Sequence, residues 1–137
     1  MTHQSQLGKM GEDLACRYLV NKNFNIIERN FRRPWGEIDV ITKSSDKTLV
    51  FVEVKTMINH GEQGLIPEQQ LSTVKLNKIK KTACLYAGYN QKLIGEKGWR
   101  IDLVAIQCAS GMPANIFDND LTEIEKHCEI RHYENVA

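Results

Sequence analysis

Two neighbouring segments decide the fold, Gly36–Ile41 (GEIDVI) and Val50–Lys55 (VFVEVK). Both are rich in β-branched residues, which favour strands, and the turn-forming residues 44–47 (SSDK) lie between them. This pattern predicts a β-hairpin. In each strand an acidic residue, Asp39 or Glu53, interrupts an apolar run, where an exposed ion pair is not expected.

The rest of the chain predicts helices and further strands around this hairpin. The predicted elements are, in chain order, a helix over about residues 4–22, strands over 24–33, 37–43 and 48–56, a helix from Ser72 or Thr73 to Gly88, and strands over 100–107 and 128–132. A long connection over residues 57–71 joins the third strand to the second helix. The order predicts a single α/β domain over residues 1–137, with a central mixed sheet flanked by helices.

The composition is that of an ordinary globular chain. The 137 residues are 42% hydrophobic and 26% charged, which argues against disorder. Because no stretch approaches the roughly 18 apolar residues of a membrane span and the N-terminus lacks a secretory signal, we expect a soluble, cytoplasmic protein without a membrane partner. The four cysteines form no close pair of the kind a zinc site needs, and Cys16 and Cys84 are expected to be buried thiols.

The charge is unevenly distributed along the chain. Residues 1–100 carry 16 basic against 10 acidic side chains, whereas residues 101–137 carry 2 against 7. A basic part that faces a polyanion and an acidic tail on the opposite side would fit this asymmetry. The candidate nucleic-acid-binding residues are Arg29, Arg32, Arg33, Lys75 and Lys78. The alternative is that these are edge-strand charges that deter aggregation and a solvated helix face.

The hairpin acids form the candidate catalytic site. Glu53 and Lys55 share one face of their strand, about 6.6 Å apart along it. In a register that places residue 39 opposite residue 53, Asp39 joins them on one patch, whereas a slip by one residue would turn it to the other face. The alternative interpretation is a solvated salt bridge between Glu53 and Lys55.

Two carboxylates that lie so close repel each other unless a cation lies between them. Mg²⁺, or Mn²⁺, binds oxygen ligands and usually keeps several waters, so Asp39, Glu53 and the carbonyl of Val54 would suffice as metal ligands. Lys55 would then stabilise charge on a phosphate, as phosphodiester hydrolysis requires. Glu12, at the edge of the apolar stripe of the first helix, is a candidate third acid, although its spacing alone is typical of a surface glutamate.

Six segments together resemble the YraN-like family of small bacterial proteins, which is similar to restriction-endonuclease-like nucleases and to archaeal Holliday-junction resolvases. The segments are Gly8–Leu19, Ile26–Arg32, Gly36–Ile41, Val50–Lys55, Arg100–Val104 and Ile130–Asn135. The resemblance implies a three-layer αβββαβ core and a divalent metal. It also implies that Asp39, Glu53 and Lys55 are the nuclease residues and that Glu12 is a catalytic and metal-binding acid.

Three functions remain open on the sequence alone. The first is a metal-dependent nuclease that acts on nucleic acid, with DNA as the expected polymer and branched or structured DNA among its substrates; resolvase-like cutting would need a homodimer. The second is a non-catalytic nucleic-acid-binding module that retains the nuclease fold. Leu76 and Met57, which stand where the family often has Gln and Arg, favour the module, whereas the intact acids favour the enzyme. The third is a protein-interaction role of the acidic tail.

Overall fold

The computed structural model describes residues 2–59 and 66–137. Its helices and strands are α1 (His3–Asn21), β1 (Asn25–Arg33), β2 (Gly36–Lys43), β3 (Leu49–Asn59), α2 (Thr73–Tyr89), β4 (Trp99–Ala109), α3 (Leu121–Glu125) and β5 (Cys128–Tyr133). The predicted elements are all present, and α3 is an addition to them. In the predicted connection, β3 extends to Asn59 and a 3₁₀ turn forms at Pro67–Gln70; residues 60–65 lie outside the described residues.

The strands form one mixed sheet in the order β1-β2-β3-β4-β5. β3 and β4 are parallel, and the other neighbouring pairs are antiparallel. A parallel pair needs a crossover connection, and here the crossover contains α2. The mixed sheet flanked by helices confirms the predicted α/β class and is consistent with a restriction-endonuclease-like core.

Local sequence signals explain where the two long helices begin and end. The side chains of Thr2 and Ser72 accept hydrogen bonds from the first turns of α1 and α2, as N-caps do. After α1, Asn23 adopts the left-handed conformation that often ends a helix, with φ of 68°. Across the two described stretches, no helix is both long and apolar enough to cross a membrane.

Two hydrophobic clusters cover the two faces of the sheet and produce three layers. One cluster joins the sheet to α1 and α3, with Leu14, Leu19 and Ile124 among its buried residues. The other joins the sheet to α2, through Ile79 and Tyr86. The side chains of β3 alternate between the two clusters, which is why this central strand is apolar on both faces.

The cysteines differ from the expectation in two respects. Cys108 and Cys128 lie opposite each other on β4 and β5 and form a disulfide, a pairing that their 20-residue separation in sequence does not reveal. Cys16 is buried as expected, whereas Cys84 is exposed because it lies outside the apolar stripe of α2.

Candidate functional site

The pairing of β2 with β3 places the two hairpin acids where the strands separate. The paired register runs from Lys43–Leu49 to Val40–Val52, which is the register that the candidate site requires. Beyond Val40, β2 continues along β1, and β3 continues along β4. Asp39 and Glu53 therefore lie at the start of a split between the two halves of the sheet.

The carboxyl groups of Asp39 and Glu53 meet at this split. Burial raises the pKa of Glu53 to about 9, the hydrogen bond to Asp39 and its charge add to the rise, and Lys55 opposes it. The backbone N–H of Val54 donates to Oδ2 of Asp39 at 2.9 Å. Without a cation, the two acids are thus stable when one of them keeps a proton.

A local twist of β2 directs Asp39 away from both hydrophobic clusters. Residues two apart in a regular strand share a face, yet Ile38 belongs to the cluster against α2 and Val40 to the cluster against α1. Asn30, which lies on β1 between the paired positions Arg29–Val40 and Phe31–Ile38, has φ of 52°. The twist leaves Asp39 partly exposed at the split, although its neighbours are buried.

Glu12 approaches the site because α1 packs closely on β3. A Cβ atom added to Gly11 would overlap the side chain of Thr56, so only a glycine allows this distance between helix and strand. Burial and the negative charge of Asp39 raise the pKa of the Glu12 carboxyl, against the opposing charges of nearby arginines. The Glu12 carboxylate is contacted by the Asn30 amide, whose nitrogen lies 2.8 and 3.2 Å from its two oxygens in the orientation that allows donation.

Lys55 is partly exposed on β3, and its charge acts on Glu53. The structure therefore brings together Asp39, Glu53 and Lys55, with Glu12 within electrostatic range of Asp39. Among residues 2–59 and 66–137, no group of three or more His, Cys, Asp or Glu side chains is already arranged as a metal site.

The predicted nucleic-acid-binding residues divide into two groups. Arg29 and Arg32 lie on β1 and pair with Asp13 and Glu37, at 2.7 and 2.6 Å. Both arginines line a groove of about 650 Å³ between α1 and β1. The groove is lined by Ser5, Gly8, Lys9, Glu12, Asp13, Arg29, Asn30 and Arg32. The groove therefore contains two of the predicted nucleic-acid-binding residues, Arg29 and Arg32, and one of the predicted catalytic acids, Glu12.

The other three predicted cations lie outside this groove. Arg33 packs over the ring of Phe31, with its guanidinium carbon 4.4 Å from the ring centroid. Lys75 and Lys78 are exposed on α2, and Nζ of Lys75 donates to the carbonyl of Gln70 at 3.2 Å. The structure thus does not gather all five candidates on one surface.

Gly11 and Asn30 are the site residues that sequence reasoning missed. A glycine inside a helix lowers helix stability, so Gly11 in the predicted first helix was a signal of close packing. No comparable signal marked Asn30, because its left-handed conformation inside a strand depends on the twist of β2 and not on a local turn motif.

A second buried acid provides an internal comparison. Asp102 on β4 is fully buried and accepts hydrogen bonds from Arg100 Nε at 2.9 Å and the backbone N–H of Asn135 at 3.0 Å, and its Oδ2 lies 2.8 Å from Nε2 of His132. Although burial acts to raise its pKa, the hydrogen bonds from His132 and Arg100 lower it. Asp102 is compensated by protein groups, whereas Glu53 meets a second carboxyl.

The fold and this site define an α/β protein whose mixed sheet, consistent with a restriction-endonuclease-like core, splits at a pair of carboxyl groups beside a lysine. The model of the family described as "Uncharacterised protein family UPF0102" matches residues 11–106. The chain belongs to this family, which is the YraN-like family that its motifs resemble. The match spans the four residues Glu12, Asp39, Glu53 and Lys55.

Curated relatives support the assignment. A UPF0102 protein of Thermodesulfovibrio yellowstonii is 40% identical over 101 residues, which cover 74% of this chain and 85% of the relative. One of Campylobacter lari is 41% identical over 103 residues, covering 75% and 85%. One of Geobacter metallireducens is 37% identical over 111 residues, covering 81% and 87%. Their names give the family and no activity.

Proposed function

We propose that this protein is a nuclease dependent on Mg²⁺ or Mn²⁺ that hydrolyses phosphodiester bonds in DNA, branched or structured DNA included. The observation that carries the proposal is the contact between the carboxyl groups of Asp39 and Glu53 at the split between β2 and β3. Such a pair is costly in a purely structural role, because one buried acid must keep a proton.

A hard divalent cation fits the chemistry of this pair. Mg²⁺ prefers oxygen ligands and keeps several waters, so two carboxylates and a main-chain carbonyl are a sufficient protein contribution. Asp39, Glu53 and the carbonyl of Val54 are the groups that would hold it, with Glu12 as a further acid nearby. The contrast with Asp102, whose charge is met by Arg100 and His132, supports a partner from outside the chain.

The roles of the residues follow from their positions. When bound, the cation would neutralise charge on the scissile phosphate and lower the pKa of an attacking water. Lys55 would place a positive charge beside the same phosphate and stabilise the charge that grows on it. Asp39 is held in place by the N–H of Val54, so its remaining oxygen keeps a fixed direction.

The groove between α1 and β1 supplies an approach for the DNA backbone. Arg29 and Arg32 already pair with carboxylates, but exposed ion pairs are weak, and a phosphate can replace the carboxylate partner. Arg33, Lys75 and Lys78 would make outer phosphate contacts. Cutting two strands of a junction would need two sites, and therefore a homodimer.

A non-catalytic nucleic-acid-binding module is the second candidate. The observation that favours it is that residues 2–59 and 66–137 hold no group of three or more acidic or metal-binding side chains already arranged as a metal site. Both candidates use the same groove, so binding alone does not separate them.

A cleavage assay separates the two functions. The full chain is incubated with linear, nicked and four-way-junction DNA in Mg²⁺, Mn²⁺ or EDTA, and products are resolved on denaturing gels. We expect cutting that requires the metal and falls by at least about 100-fold in Asp39→Asn, which keeps the acceptor for Val54, and in Lys55→Ala.

The matched control is Lys97→Ala. Lys97 is exposed at the other end of the sheet, near the start of β3, so its loss should leave cutting unchanged. DNA binding without cutting of any substrate in either metal would contradict the nuclease and support the module. Cutting that persists in both Asp39→Asn and Lys55→Ala would reject this site.

A further inference from the structure

We infer that Asn30 is a positioning residue that holds the Glu12 carboxylate beside Asp39, so that the acid from α1 joins the pair from the hairpin. This inference rests on the proposed function and adds to it a residue that is neither acidic nor cationic. It is carried by two separate observations, one on the backbone and one on the side chain of Asn30.

The backbone of Asn30 adopts an unusual conformation at a significant place. Its φ of 52° lies in the left-handed region, which asparagine tolerates better than most residues. Asn30 lies on β1 between the paired positions Arg29–Val40 and Phe31–Ile38, as Asp39 does on β2, and the register does not pair the two residues. The left-handed residue of β1 and the twist of β2 therefore occur at the same level of the sheet as Asp39, the candidate metal ligand.

The side chain of Asn30 links this strand position to α1. With the amide oxygen and nitrogen exchanged, the orientation that satisfies both groups, its nitrogen lies 2.8 Å from Oε1 and 3.2 Å from Oε2 of Glu12 and donates to both oxygens of the carboxylate. A neutral donor fixes the direction of a carboxylate and leaves its charge available to a cation. An arginine in the same place would compete with that cation.

The charged surroundings show why such a neutral residue matters. Arg29 and Arg32 both act on the charge of Glu12, and Arg29 is bound to the adjacent Asp13 at 2.7 Å. Both arginines attract the Glu12 carboxylate and favour its rotation out of the contact with Asn30. The contact with Asn30 opposes that rotation.

The first experiment tests the contact in the metal-free protein. The side-chain ¹⁵NH₂ resonances of Asn30 are assigned and compared between the wild type and Glu12→Gln. We expect the Asn30 resonances to shift between the two proteins more than the resonances of any other side-chain amide. Unchanged Asn30 signals would overturn the inference whether or not the protein binds a metal or cuts DNA.

The second experiment measures Mn²⁺ affinity by calorimetry in the wild type and in Asn30→Gly, which keeps the left-handed backbone accessible. We expect affinity to fall by about 10- to 100-fold, the usual effect of losing a group that orients a metal ligand. In the Glu12→Gln background, Asn30→Gly should cause no further loss, because it acts through Glu12.

The matched control is Asn23→Gly, which removes another asparagine with positive φ, at the end of α1. Its Mn²⁺ affinity should equal that of the wild type. If Asn30→Gly keeps full affinity, or loses as much in the Glu12→Gln background, Asn30 is not a positioning residue, although the nuclease proposal stands. If the wild type binds no Mn²⁺, the nuclease proposal fails. The contact between Asn30 and Glu12 is then tested only by the comparison of the Asn30 resonances.

Discussion

Glu68 shows how strongly local partners control a carboxylate in this protein. It lies in the 3₁₀ turn before α2 and accepts hydrogen bonds from Arg131 Nε and the hydroxyl of Tyr133, both at 2.6 Å. Arg131 is the main cause that lowers the pKa of Glu68 to about 2. The turn is thereby tied to β5, two strands away from Lys55 on the same face of the sheet.

We expect Glu68→Gln to lower the free energy of unfolding by about 1 kcal/mol at pH 7. Because the pKa of Glu68 is lower in the folded state than its ordinary 4.5, this stabilisation is complete above pH 4.5 and is lost as the pH falls toward 2. Urea unfolding of the wild type and the variant from pH 7 to pH 2 should therefore show a difference that disappears in acid.

Glu129→Gln is the control for this prediction. Glu129 also pairs with Arg131, at 3.0 Å, but its side chain is 69% exposed against 15% for Glu68. Its loss should change the unfolding free energy by less than about 0.5 kcal/mol. A difference between wild type and Glu68→Gln that stays constant down to pH 2 would show that Glu68 is not held ionised by the fold.

For individual residues, the sequence predicted which acids form the candidate site, but it did not predict which residues contact those acids. The alternation along β3 predicted that Glu53 and Lys55 share a face, but it left the hairpin register open. The structure has the register that brings Asp39 near Glu53. The role of Asn30 depends on a twist within β2, and the partner of Glu68 lies 63 residues away in sequence. Contacts of that kind arise from packing, and local patterns do not contain them.

At the scale of helices and strands, one glycine determines how closely α1 packs on β3. Gly11 lies against Thr56 with no space for a side chain, whereas Gly8, one turn earlier on the same helix, has nothing within 4 Å of its would-be Cβ. Since Glu12 follows Gly11 directly, the distance between α1 and β3 also sets the position of Glu12.

We expect Gly11→Ala to lower the free energy of unfolding by about 1–3 kcal/mol, because the added methyl forces the helix away from the strand. Gly8→Ala should raise it by about 0.5–1 kcal/mol, because alanine favours the helix and no contact opposes it. Thermal and urea unfolding measure both. Equal effects of the two substitutions would mean that α1 does not pack closely at Gly11.

Most of the element order was predictable, because each long element carries its own signal. Ser72 caps α2 as predicted, and Asn23 ends α1 in the left-handed conformation. The short helix α3 was missed, since five residues hold too few apolar positions to show a period. The disulfide between Cys108 and Cys128 was missed because it follows from the register of β4 with β5.

Across the whole molecule, the lysines of α2 and the acidic segment that includes α3 lie on opposite faces of the sheet. The lysines of α2 are exposed in one layer, and the acidic segment 118–125, which includes α3, packs with α1 in the other. This separation fits the charge asymmetry seen along the chain. It predicts that a polyanion approaching this side of the sheet meets the lysines of α2 and not the acidic segment 118–125.

We expect Lys75→Ala and Lys78→Ala each to reduce the salt dependence of DNA binding by about one unit of slope in log K against log salt. Lys126→Ala, beside α3, should leave the slope unchanged. Fluorescence anisotropy with labelled DNA in EDTA, at several salt concentrations, measures all three. The same slope in Lys75→Ala, Lys78→Ala and the wild type would exclude α2 from the DNA surface.

The split between β2 and β3 has a mechanical consequence. Four paired positions join the hairpin strands, and beyond them one strand belongs to the β1 side and the other to the β4 side. A small rotation of one side against the other changes the gap between the Asp39 and Glu53 oxygens and leaves those four positions paired. If the proposed metal binds there, the ionic radius that fits the gap would depend on the coiling of the sheet, so a tight turn or a bulky residue distant from the acids would change which ion binds.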